Sequence, residues 1–138
     1  GQFDSNQLYM LRSKNSGKAL DLYWGSPDNG ANVLQYTYNG YNNQKWYLKK
    51  LDNGYYVIEN YASGKVLDVY WEKMEAGANV QQYYWNNGDN QQWVVKDAGD
   101  GYFYIISKSN SLYMDGYGGG ASDDVHIRDM EEPVKNGN

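Results

Sequence analysis

Ser16-Gly17-Lys18-Ala19-Leu20-Asp21-Leu22-Tyr23-Trp24 and Ser63-Gly64-Lys65-Val66-Leu67-Asp68-Val69-Tyr70-Trp71 lie 47 residues apart and share seven of nine residues. Each joins a Ser-Gly-Lys turn to a short apolar strand interrupted by one carboxylate. Carrying the same offset outward aligns Tyr9–Trp46 with Tyr56–Trp93 without a gap, with 18 identities in 38 positions. Gly30-Ala31-Asn32-Val33 falls on Gly77-Ala78-Asn79-Val80, Tyr36 on Tyr83, and Asn43-Gln44-Lys45-Trp46 on Asn90-Gln91-Gln92-Trp93. Agreement at this level is an internal duplication, so the repeat is the unit that must fold.

A further offset of 47 places Asn53-Gly54-Tyr55-Tyr56 on Asp100-Gly101-Tyr102-Phe103 and Asp68 on Asp115. The third copy then diverges. Val125 follows Asp115 by 10 residues, whereas Val80 follows Asp68 by 12. With the hairpin shortened to match, His126 aligns with Gln81 and Arg128 with Tyr83. No Asn-Gln-x-Trp follows, and the sequence stops at Asn136-Gly137-Asn138, near where one is expected. One domain over residues 1–138 is expected, with repeats at about 7–53, 54–100 and 101–138, the third divergent and truncated. A twelfth strand would then be missing beside Tyr9–Ser13, its place taken by the Gly1–Asn6 arm, a neighbouring chain or residues of a longer protein.

Composition agrees with a β-rich chain. There are 9 Leu, 9 Val, 4 Ile and 2 Phe among 138 residues, few enough to raise the question of disorder, yet 16 Tyr and 5 Trp stand against it. Tyr, Trp and Val favour strands, and 16 Gly with 16 Asn supply turns. In the second copy the strands read as Tyr55–Asn60, Val66–Tyr70, Val80–Tyr84 and Gln92–Lys96, with at most a turn over Glu72–Ala76. Three copies of four strands closing about a pseudo-threefold axis make an all-β fold, the β-trefoil, in which closure removes exposed sheet edges.

Charge and composition exclude several functions. The net charge is -5 with no basic run, a poor match for nucleic acid. No run of 18 apolar residues exists, so membrane insertion is not expected. No cysteine is present, which removes thiolate chemistry, disulfides and Cys-bound zinc. No signal peptide is visible, and Gly1 reads as the terminus of a processed chain.

The pattern Leu-Asp-x-Tyr, Gly-Ala-Asn-Val, an aromatic and Asn-Gln-x-Trp resembles the ricin B-type lectin family, β-trefoils with three Gln-x-Trp repeats that are also grouped as a carbohydrate-binding module family. Ala19-Leu20-Asp21-Leu22-Tyr23 with Asn43-Gln44-Lys45-Trp46 is especially similar to clostridial haemagglutinin components. The resemblance implies a noncatalytic carbohydrate-binding domain for galactose, N-acetylgalactosamine or related glycans. It implies an extracellular setting, often as the targeting module of a toxin or glycoside hydrolase. No cofactor or metal is implied.

By the same resemblance, Asp21, Tyr36 and Asn43 form one sugar site, and Asp68, Tyr83 and Asn90 a second. The carboxylate accepts from two hydroxyls, the ring packs under the apolar face of the pyranose, and the Asn amide donates. Gln81 helps hold the sugar in the second copy, where the first has Leu34, so the second site is the better formed. Gln44 and Gln91 accompany the trios and also satisfy loop backbone groups. Trp46 and Trp93 are core residues, as are Leu20, Leu67, Val33 and Val80. Trp24 and Trp71 either extend the stacking wall to a second sugar unit or pack the loop. Asp21 and Asp68 also have a purely structural reading, as carboxylates capping loop amides. A third sugar site is not expected, because Arg128 stands where the aromatic belongs.

Other chemistry is poorly supported. His126 is the only histidine and reads as a hairpin or surface residue. Glu131-Glu132 sits in a charged tail, Asp97-Ala98-Gly99-Asp100-Gly101 reads as a type I turn rather than a calcium loop, and Gly118-Gly119-Gly120 lacks the lysine and helix of a phosphate loop. Three other classes of function remain: a module binding xylan-type polysaccharide for a hydrolase, an inhibitor-type trefoil that binds protein, and an enzyme, the least supported of the three.

Overall fold

The computed structural model describes residues 2–70, 80–111, 114 and 124–130. Within them lie ten strands: β1 (Leu8–Ser13), β2 (Ala19–Leu22), β3 (Val33–Tyr36), β4 (Trp46–Lys50), β5 (Tyr56–Asn60), β6 (Val66–Val69), β7 (Val80–Tyr83), β8 (Trp93–Gly99), β9 (Tyr102–Ser107) and β10 (Val125–Asp129). Only single 3₁₀ turns interrupt them, at Tyr23–Gly25, Asn42–Gln44 and Asp89–Gln91. Trp71, Glu72–Ala76, Asp115, Gly118–Gly120 and Glu131–Glu132 lie outside the described residues.

Six strands close a barrel. β1 pairs with β4, β4 with β5, β5 with β8, β8 with β9, β9 with β10, and β10 returns to β1, every pair antiparallel. The hairpins β2–β3 and β6–β7 attach to β1 and β5. The fold is the expected β-trefoil.

The missing twelfth strand is corrected by the pairing register. Val125 lies opposite Ser13, as Trp46 lies opposite Asn60 and Trp93 opposite Ser107. The Lys14 N–H donates to the Asp124 carbonyl at 2.8 Å, repeating Tyr61 to Lys45 at 2.9 Å and Lys108 to Gln92 at 3.0 Å. β10 is therefore the fourth strand of repeat 3, with Val125 in the tryptophan's place. The shortening precedes it, between Met114 and Val125. The closing strand keeps apolar residues at alternate positions, Val125 buried and Ile127 packed against the core, but not the Asn-Gln-x-Trp letters. His126 and Arg128 accordingly sit on the barrel opposite Arg12 and Met10, not at a sugar site.

Core layers repeat at 47-residue intervals because the duplication placed equivalent apolar residues on equivalent strands. Leu11, Ile58 and Ile105 form one layer, and Leu20, Leu67 and Met114 another. Val33 is also buried, and Val80 packs against the core half-buried. At the barrel's base, Tyr9, Tyr56 and Phe103 surround the Phe3 ring edge-on, at centroid distances of 5.4, 6.0 and 5.1 Å. The N-terminal arm thus plugs the axis rather than replacing a strand.

The turn at Asp100-Gly101 differs from the type I expectation. β8 and β9 are joined by these two residues alone, both at positive φ (57° and 83°). That is the handedness of a type I′ hairpin, which matches strand twist and favours Asp-Gly.

Candidate functional site

Asp21 and Asp68 occupy the third position of β2 and β6, each directly after a core leucine, and both are buried. A carboxylate there requires partners, and each has a matching set. In repeat 1, Asn43 Nδ2 donates to Asp21 Oδ1 at 3.2 Å, and Gln44 Nε2 to Oδ2 at 2.9 Å. In repeat 2, Asn90 Nδ2 donates to Asp68 Oδ1 at 3.2 Å, and Gln91 Nε2 to Oδ2 at 2.9 Å. Two independent copies of one geometry show that the spacing of 22 and 23 residues between these groups encodes a triad.

The 3₁₀ turns deliver Asn and Gln to the carboxylate. Gln44 Oε1 accepts from the Asn39 and Gly40 N–H groups, and Nε2 also donates to the Thr37 carbonyl. Gln91 does the same with the Asn86 N–H and the Tyr84 carbonyl. Both glutamines are fully buried, so they orient the aspartates from behind and hold the loops rather than face solvent. Below them Trp46 and Trp93, also fully buried, donate their indole N–H to the Leu20 and Leu67 carbonyls at 3.1 Å.

The asparagines present a different atom from the expected one. Asn43 Nδ2 bonds both Asp21 Oδ1 and the Leu22 carbonyl, and Asn90 Nδ2 bonds Asp68 Oδ1 and the Val69 carbonyl. Both neighbours are acceptors, so the amide nitrogen must face them. Its two hydrogens are committed, leaving Oδ1 to accept from a ligand hydroxyl.

The repeat-2 site is a cavity of about 540 Å³, lined by Asp68, Gln81, Tyr83, Asn90, Tyr70 and Gly30, among others. Gln81 Nε2 donates to Asp68 Oδ1 at 3.2 Å, a contact that Leu34 cannot supply in repeat 1. Gly88 also lines this cavity. A Cβ there would collide with the side-chain carbonyls of Asn86 and Asn90, whereas repeat 1 carries Tyr41 at the equivalent position. Tyr36, the counterpart of Tyr83, is 55% exposed. The structure brings Asp68, Gln81, Tyr83 and Asn90 into one cleft. Tyr70 and Asn86 also line it, and their matches Tyr23 and Asn39 were visible in the repeat. Gly30 comes from the other repeat, which no within-repeat alignment reveals.

Burial pushes the Asp21 carboxyl above its ordinary value of 3.8, and the Gln44 hydrogen bond partly offsets this. A raised acid is protonated earlier as pH falls. Stability from the neutral form is present below the unfolded value and lost as pH rises through the folded one. The ionised form is the one that accepts both amides and hydroxyls. In an Asp68→Ala protein, the sugar binding expected at Asp21 should therefore weaken on acidification with a midpoint above pH 3.8, checked by calorimetry across pH. His126 shifts the other way, lowered by burial and by Arg128 and Arg12.

The family description "Ricin-type beta-trefoil lectin domain-like" matches residues 2–83 and 42–128 in two overlapping stretches. The chain belongs to the ricin-type β-trefoil lectin family. This is a family of carbohydrate-binding domains. A search of curated proteins returned no matching sequence. Among solved structures, the chain is similar to the designed threefold-symmetric protein ThreeFoil, with 40% identity, TM-score 0.78 and 88% of each chain covered. It is also 40% identical to part of an exo-β-1,3-galactanase from Clostridium thermocellum, at TM-score 0.76 over 87% of this chain but 27% of the enzyme. The Macrolepiota procera ricin B-like lectin, solved with lactose, shares the fold at 21% identity and TM-score 0.67, with 92% and 88% of the two chains covered.

Proposed function

We propose that this domain is a noncatalytic lectin module for galactose- or N-acetylgalactosamine-type glycans, acting extracellularly through two sites. The observation that carries this reading is the twice-built Asp–Asn–Gln triad beside an aromatic ring, best formed around Asp68. Asp68 and Asn90 Oδ1 accept from adjacent sugar hydroxyls, and Tyr83 provides the face on which the C–H patch of a galactopyranose packs. Asp21, Asn43 and Tyr36 do the same in repeat 1. A neutral ligand half in water binds one such site weakly, and two sites on one glycan surface gain avidity.

The galactanase similarity favours a second setting, as the targeting module of a hydrolase that acts on a galactose-containing polysaccharide. A toxin subunit is the other setting compatible with the family. A glycan array, followed by lactose-inhibitable retention on immobilised galactose, tests the sugar class. Binding to terminal galactosides is expected. Retention on xylan with none on galactose would redirect the reading to plant polysaccharide.

A further inference from the structure

Gly30 is shared by two cavities. One is the Asp68 cleft of repeat 2, and the other is a neighbouring hollow of about 520 Å³ in the β2–β3 connection of repeat 1, lined by Tyr23, Trp24, Asp28, Asn29 and Gly30. The wall between them is firmly built. The Gly30 N–H donates to the Gln82 carbonyl at 2.8 Å, and the Gln82 N–H to the Ala31 carbonyl at 3.0 Å. Gln82 Nε2, fully buried, donates to the Ser26 and Asp28 carbonyls at 2.7 and 2.8 Å, and the Tyr84 N–H reaches Asn29 Oδ1 at 2.9 Å. The loop of repeat 1 is thereby fastened along β7, the strand that carries Gln81 and Tyr83.

Trp24, which lines this hollow, is 84% exposed. Its backbone is left-handed (φ 53°), a conformation unfavourable for a bulky residue and followed directly by Gly25 at φ 64°. The Tyr23 ring meets it edge-on at 6.1 Å. An indole displayed at a backbone cost, beside a hollow that shares a wall residue with the Asp68 cleft, has the attributes of a ligand platform.

Resting on the lectin reading above, we propose that the two cavities form one extended site crossing the repeat boundary. A terminal galactose sits at Asp68, and the next one or two hexoses of an oligosaccharide pass over Gly30 onto Trp24. Trp24 then serves the site of repeat 2 rather than that of its own repeat.

The test is calorimetric titration of an Asp21→Ala protein with galactose, β-1,3-galactobiose and β-1,3-galactotriose. Affinity should rise about tenfold from monosaccharide to trisaccharide, the gain expected of one added stacking platform. Trp24→Ala should collapse that ratio to about twofold or less. The Trp24 indole N–H resonance should shift with galactotriose and not with galactose. Equal affinity along the series, or a ratio unchanged by Trp24→Ala, overturns the extended site while leaving the lectin reading intact. No binding of any of the three sugars overturns both.

Discussion

Asp68→Asn is expected to remove one of the two proposed galactose sites, and Asp21→Asn with Asp68→Asn to remove both. Each carboxylate is the only anion in its triad, and under the proposed reading a hydrogen bond it accepts from a sugar hydroxyl is charge-assisted, at about 1.5–3 kcal/mol. Loss of one such bond weakens the site by at least about tenfold. Calorimetric stoichiometry should step from two to one to none as the substitutions accumulate. Retention on a galactose surface should fall much more steeply at the first step than affinity for free sugar does, because avidity requires both sites. The substitution also puts an amide N–H₂ in place of one carboxylate oxygen, where it faces either the Asn90 amide, which donates to Oδ1 at 3.2 Å, or the Gln91 amide, which donates to Oδ2 at 2.9 Å. That costs about 1–3 kcal/mol of stability, partly offset by the removal of a buried charge. A thermal melt therefore accompanies each titration. A folded Asp68→Asn protein that still binds two equivalents would show that the triad is a loop cap and nothing more.

The fold was legible because the duplication preserved, in repeats 1 and 2, side chains that make several contacts at once. Trp46 and Trp93 donate to matching carbonyls, and Gln44 and Gln91 tie matching loops, so any change at one of these positions disturbs several contacts together. The Asp–Asn pairing was legible for the same reason. The third repeat was not. A barrel strand needs apolar residues at alternate positions, and Val125 and Ile127 meet that need without a tryptophan. With fewer residues between Met114 and Val125 than between Leu67 and Trp93, the motif's letters were gone while its strand remained. Nor could the sequence show that Gly30 walls the site of the other repeat, since that contact depends on how two hairpins dock. The asparagine orientation was equally hidden, because it is set by the Leu22 and Val69 carbonyls rather than by side-chain type.

The same comparison of Trp93 with Val125 yields the largest expected effect on stability. Trp93→Ala empties a site that is 1% exposed, strips the Leu67 carbonyl of its indole donor and leaves a cavity among the surrounding strands. Replacements of this kind cost about 3–5 kcal/mol, a large share of the total stability of a domain this size. The corresponding fall in melting temperature is about 10–20 °C. Val125→Ala at the equivalent position of repeat 3 removes far less volume and breaks no side-chain hydrogen bond, and should cost about 1–3 kcal/mol. The pair separates the two accounts of the third repeat. If β10 closes the barrel against β1, Val125→Ala destabilises measurably, and Val125→Asp prevents cooperative folding by burying a carboxylate at a position that packs in the apolar core. A domain that melts unchanged with Asp at position 125 would mean that β10 is dispensable and the barrel is closed by something else. Because Ser13, opposite Val125, is also buried, the substituted carboxylate has little route to water.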